Sequence, residues 1–135
     1  MVCLASINVN GLQDSKKAAA IFLKLRKTHF DIIFLQETHF TKNWKSEIIP
    51  KPQWKGISYH SCFSSTSAGV SIFFKNSLKP EVHNVDIADD GRHIILDITI
   101  NKKRILLLNI YAPSGGGAYM KERRSFFSKI NDKIK

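Results

Sequence analysis

The sequence predicts an α/β chain rich in strands, on two observations. A strand-like run, a helical stretch and a second strand-like run follow one another within about 35 residues, a crossover unit that calls for parallel pairing in a sheet. From Gly69 onward, four further runs rich in β-branched and apolar residues are separated by turn signals.

The elements follow in chain order. "VCLASINV" is a short β-rich run that stops at Asn10-Gly11, a turn dipeptide. "DSKKAAAIFLKLRKTH" places Ala18, Ile21, Phe22 and Leu25 at i, i+3, i+4 and i+7, one face of a helix. Asp14 or Ser15 can cap its start, and basic residues fill its last turn, where the helix dipole favours them. "DIIFL" is the second strand. Residues 40–67 are loop-rich, with Trp44 and Trp54 expected to pack beneath the loops as core anchors. "GVSIFF", "VHNVDI", "RHIILDITI" and "RILLLNIYAP" are strands, and Ile94, Leu96, Ile98 and Ile100 alternate along one buried face. Asn101-Lys102 lies between the last two as a hairpin turn. The final stretch, Tyr119 to Lys135, predicts a helix with Phe126, Phe127, Ile130 and Ile134 on its apolar face.

At 135 residues with 43% hydrophobic, the chain fits one domain with a core of its own. No apolar run approaches the roughly 18 residues of a membrane span, and the N-terminus lacks the basic stretch of a signal peptide. Cys3 and Cys62, far apart and without zinc spacing, read as reduced thiols in or near the core, which points to an intracellular compartment. Twenty-one Lys and Arg stand against eleven Asp and Glu, a net charge of +10. That balance attracts polyanions, and nucleic acid is the commonest, although a lysine-rich surface alone accounts for the same number. The excess is uneven: residues 102–135 hold nine basic side chains and two acids, whereas Glu81 to Asp97 carries five acids and one arginine.

Three strand ends finish in polar residues that apolar packing leaves unexplained: Asn8, Glu37 and the pair Asn109/Tyr111. A carboxylate at a strand end can hold a hard cation, a neighbouring amide can ligate or orient, and a phenol can donate to a phosphate oxygen. On spacing alone, turn and capping roles are the better reading of Asn8 and Glu37. The strings themselves change the balance. "SINVNGL", "DIIFLQETHF", "AGVSIFF", "GRHIILDITI" and "LLLNIYAPS" together resemble, over nearly the whole chain, the endonuclease/exonuclease/phosphatase family. "QETH" and "NIYAP" look most like the endonuclease domain of LINE-type (non-LTR) retrotransposons, which is related to apurinic/apyrimidinic endonucleases.

The resemblance implies the N-terminal half of a DNase I-like, four-layer α/β/β/α sandwich, this chain supplying one mixed sheet with flanking helices. It implies Glu37 as the metal-binding glutamate, with Asn8 beside it and Tyr111 near the scissile phosphate. It implies Mg²⁺, with Mn²⁺ as the alternative ion, and DNA as the partner. Ser114 stands where these enzymes often carry asparagine after "YAP". Asn10-Gly11 reads as a turn former, and His39 as a structural hydrogen-bonding residue outside the catalytic set.

The family's remaining machinery, a "GDFN"-like strand end and an "SDH"-like ending, has no counterpart in this sequence. Residues 1–135 therefore read as a partial domain without its C-terminal half. Loss of a positioned general base alone costs ~10²–10⁴ in rate, so inactivity is expected of the chain by itself. Its sheet is expected to present an uncovered apolar face, which drives self-association or pairing with a complementary half. Three readings compete: an Mg²⁺-dependent DNA endonuclease domain present in part, a basic half-domain that holds DNA without cutting it, and the relic of a truncated element. Nuclear location follows from the resemblance only.

Overall fold

The computed structural model describes residues 2–42, 54–114 and 116–135. β1 (Leu4–Asn8) leads through Asn10-Gly11 into α1 (Ser15–Arg26), and β2 (Ile32–Gln36) returns parallel to β1, Leu4 opposite Ile32. Asp14 caps α1 by accepting a hydrogen bond from Lys16 N at 2.9 Å, which satisfies one of the donors every helix start leaves over. Ala18, Phe22 and Leu25 are buried as the periodicity requires, and Ile21 packs at their margin.

β3 (Ser58–Ser61) and β4 (Val70–Phe74) complete a four-stranded mixed sheet in the order β1-β2-β4-β3. β3 lies inside the stretch read as loop. "SYHS" carries no apolar alternation, so only its pairing with β4 makes it a strand. β2 and β4 are apolar on both faces because both are covered. Ile33, Leu35 and Phe73 meet α1 and Trp54, whereas Ile32, Val70, Ile72 and Phe74 point the other way. Trp54 is the core anchor expected, packed edge-on against Phe73 and donating its indole N–H to Phe74 O at 3.1 Å. Trp44 lies outside the described residues.

β5 (Glu81–Ile87), β6 (His93–Ile100) and β7 (Lys103–Ile110) form a second, antiparallel sheet. Asn101 and Lys102 both adopt positive φ, 50° and 67°, the geometry that matches a two-residue hairpin to strand twist. Ile94, Leu96, Ile98 and Ile100 of β6 and Leu107 of β7 close onto the inner face of the first sheet in one cluster. The expectations of one mixed sheet and of an uncovered apolar face are therefore corrected: the chain forms two sheets, and the mixed sheet is covered by β5, β6 and β7, strands expected to belong to that same sheet.

α2 (Met120–Ile134), preceded by a single 3-10 turn at Gly117–Tyr119, lies outside the second sheet. The layers run α1, mixed sheet, antiparallel sheet, α2, the α/β/β/α order. Lys133 Nζ pairs with Asp86 at 2.9 Å, and Ile130 is the buried residue of the helix. Here too the sequence expectation needs correction. Phe127 and Ile134 stay exposed at 48% and 41%, because α2 meets the sheet along one narrow line. Both cysteines are free and half-buried, and among the described residues no helix is long and apolar enough to cross a membrane.

Candidate active site

β2 delivers Glu37 at its end, and the chain turns there against its own preference. Glu37 and His39 adopt positive φ, 55° and 58°, which costs an L-residue about 1–2 kcal/mol each. The turn holds because its backbone is pinned from two sides. Glu37 O accepts from Gly11 N at 2.6 Å, and Thr38 O accepts from Leu12 N at 2.9 Å. On the other side Thr38 N and His39 N donate to Gly69 O and Ala68 O, both at 3.0 Å. Gly11 and Gly69 both have positive φ, and a Cβ on either would collide with His39 or Thr38, so only glycine permits this approach. Strain of this kind persists where surrounding structure over-determines it and gathers at functional sites.

The strain aims the carboxylate. Tyr111, just past the end of β7, donates its hydroxyl to Glu37 Oε1 at 2.7 Å. The Asn8 side chain also hydrogen-bonds the Glu37 carboxyl, while Asn8 Oδ1 accepts from Asn10 N at 3.1 Å. These two donors, Tyr111 first, hold the Glu37 pKa below its ordinary value. The same bond to Glu37, followed by desolvation, holds the Tyr111 phenol above its usual range, against a hydrogen bond with the Ser114 side chain that pulls it down. Asn8, Glu37 and Tyr111 come from β1, β2 and β7 and thus from both sheets, and the fold brings all three together.

Asn109, singled out with Tyr111 in the sequence, supports the site from behind, and Gln36 and Arg92, which the sequence reading missed, do the same. Asn109 is fully buried and crosses between the sheets, its Nδ2 donating to Leu35 O at 3.0 Å and Ser71 O at 2.8 Å. Its Oδ1 accepts from Gln36 Nε2 at 2.9 Å, and Gln36 also reaches Ser6 Oγ. This brace fixes β7 against β2 two residues before Tyr111. Arg92 stacks over the Tyr111 ring from the β5–β6 corner. The sequence signal was present in each case, a polar residue within or beside an apolar run, but its partners lie up to 74 residues away. Asn10 is the turn former expected, at φ 49°, and His39 sits against Gly11, its charge a minor influence on Glu37.

The donors at this site suit an openly coordinated ion better than a caged one. Among the described residues, no three His, Cys, Asp or Glu side chains gather in a way that could hold a metal. A closed protein cage is excluded for that set. Mg²⁺ keeps several waters and needs only one or two carboxylates beside substrate phosphates. One ionised, hydrogen-bonded carboxylate with an amide oxygen beside it fits that open mode.

The family model for the endonuclease/exonuclease/phosphatase family matches residues 5–130. The chain belongs to the endonuclease/exonuclease/phosphatase family. Over 132 residues it is 30% identical to the "Transposon TX1 uncharacterized 149 kDa protein" of Xenopus laevis, covering 95% of this chain and 9% of that one. This transposon relative bears out the branch read from "QETH" and "NIYAP". Among solved structures, TDP2 from C. elegans superposes with a TM-score of 0.71 at 20% identity, over 98% of this chain and 42% of that one. D. rerio TDP2, solved with a single-strand DNA product, gives 0.70 at 16% identity, over 98% and 54%. These likenesses establish the DNase I-like fold. The chain spans a tenth or less of its transposon relative and about half of the TDP2 chains.

Proposed function

We propose that this chain carries the metal-binding part of an Mg²⁺-dependent DNA endonuclease of retrotransposon type, which hydrolyses phosphodiester bonds. The supporting observation is the hydrogen bond from Tyr111 to Glu37, with Asn8 on the same carboxylate. In this reading Glu37 is the anionic ligand, and Asn8 orients it and lends its amide oxygen. A divalent ion held there by Glu37 and Asn8 would supply charge neutralisation for the phosphate oxygens and a more acidic attacking water. Tyr111 holds its proton at neutral pH and presents a hydroxyl that can bond Glu37 or a phosphate oxygen. Mn²⁺ satisfies the same oxygen donors.

In this reading the 135-residue chain by itself binds DNA and does not turn over, because Glu37 and Asn8, as read among the described residues, are one carboxylate and one amide, too few groups to activate water and protonate the leaving group as well. Nuclear location is part of the same proposal. Supercoiled plasmid with Mg²⁺ provides the test. For the chain alone, we expect retention of DNA that weakens with salt and no nicking. For a longer protein that contains it, we expect nicking that disappears in Glu37→Ala. Nicking that survives Glu37→Ala would sink the assignment.

A further inference from the structure

Tyr111 has left the β-ladder, whose last pair is His93 with Ile110. A residue one step past a strand end ordinarily takes its orientation from a loop, and a phenol there would sweep through many rotamers. Tyr111 does not have that freedom, and a single residue, Arg92, restrains it at three points. Arg92 O accepts the Tyr111 N–H at 2.8 Å. Arg92 Nη1 donates to Tyr111 O at 3.1 Å. The guanidinium carbon lies 5.5 Å from the ring centroid, over its face. Backbone donor, backbone acceptor and aromatic face are thus all engaged.

Arg92 is itself fixed by the corner it occupies. Its N–H is taken by Asp90 Oδ1 at 3.1 Å. The preceding residue, Gly91, accepts from Gly69 N at 2.9 Å, and Gly69 in turn receives Thr38 N beside Glu37. The supports of the phenol and of the carboxylate therefore meet at one corner between the sheets.

We infer that Arg92 is a positioning residue for Tyr111, setting the phenol on Glu37 by a clamp on both backbone atoms and the ring. The inference rests on the proposed role of Tyr111 beside the scissile phosphate. Only a planar, forked cation can stack on a ring while donating in its own plane to the carbonyl next to it. Lysine keeps the charge and loses that combination, and glutamine keeps a donor and loses the charge.

The chain has three tyrosines, so 3-fluorotyrosine labelling gives three ¹⁹F lines, with Tyr111→Phe assigning one of them. We expect the Tyr111 line to shift and broaden in Arg92→Gln and to recover in part in Arg92→Lys. The line of Tyr59, which packs against Phe74 in the core, should stay in place in both. Mg²⁺ alone should shift the Tyr111 line in the unsubstituted chain and shift it less in Arg92→Gln. A Tyr111 line unmoved by both substitutions overturns the inference. So does the collapse of all three lines in both variants, which would make Arg92 a residue of the fold in general. A Tyr111 line that answers to Arg92 but never to Mg²⁺ upholds the clamp and removes the metal reading of the site.

Discussion

Glu37 concentrates the physics of the site in one residue, with a left-handed backbone, an ionised side chain and two donors aimed at it. Replacing it separates these contributions. Glu37→Ala and Glu37→Gly both remove the carboxylate, so both should abolish Mg²⁺ binding. At φ 55°, however, alanine keeps the strain and glycine releases it. The glycine variant should be the more stable by about 1 kcal/mol in urea titration, reversing the usual order of the two residues. Equal stabilities would mean that the turn carries no strain. Acid behaviour gives a second test. Glu37 has a depressed folded pKa, so its contribution to stability is present above the ordinary value of 4.5 and fades as pH falls below it. Tyr111 is the largest cause, so in Tyr111→Phe the Glu37 carboxyl should titrate closer to 4.5, read from its ¹³C shift. A Glu37 titration identical in both proteins would show that the phenol does not hold the carboxylate.

At the scale of elements, the pairing of β3 with β4 encloses a histidine that strand patterning could not forecast. His60 lies between the rings of Phe40 and Phe73, and its two ring nitrogens meet Ser58 Oγ at 2.9 Å and Ser71 Oγ at 2.7 Å. Burial pushes its pKa down from 6.5 to about 4. The folded state therefore refuses a proton that the unfolded chain accepts. Stability from this group is complete above pH 6.5 and is lost as pH falls toward 4, by up to about 3 kcal/mol. His60→Gln should flatten the stability profile across that window, measured by urea unfolding at stepped pH, and a profile as steep as the parent's would assign the slope to another group. What was legible in the sequence follows the same logic. α1 and β6 could be read because each carries a local period that burial enforces, β2, β4 and β7 because each is a short apolar run bounded by turn signals, and the Asn101-Lys102 turn because its chemistry is local. Asn8, Glu37 and Tyr111 could be read as polar strand ends carried in recognisable strings. β3 could not, since its four residues have no period, and neither could the inter-sheet brace of Asn109. Those features exist only once distant segments meet.

The whole molecule ends, on one side, in two open edges. Among the described residues β1 pairs only with β2 and β7 only with β6, so each sheet stops at a strand with unpaired amides and carbonyls. Gln36 bonds both Ser6 on β1 and Asn109 on β7, which sets the two edges side by side next to Glu37. Leu4 and Ile7 on β1 and Leu106 on β7 are exposed there at 53%, 37% and 44%. Open edges of this kind recruit further strands, and these are the surfaces, in place of a bare sheet face, through which self-association or pairing with a complementary segment would run. The chain spans 42% of C. elegans TDP2, which leaves more than an equal length of that relative unmatched. Co-expression with the segment that follows the matched region in the Xenopus transposon protein should give a one-to-one complex by sedimentation, with Mg²⁺-dependent nicking absent from either piece. Leu4→Lys combined with Leu106→Lys should weaken the complex without unfolding the chain, because both side chains already face water and a lysine on an edge opposes strand addition. A chain that sediments alone as a sharp monomer, melts in one cooperative step and ignores the added segment would rule out the β1 and β7 edges as a docking surface.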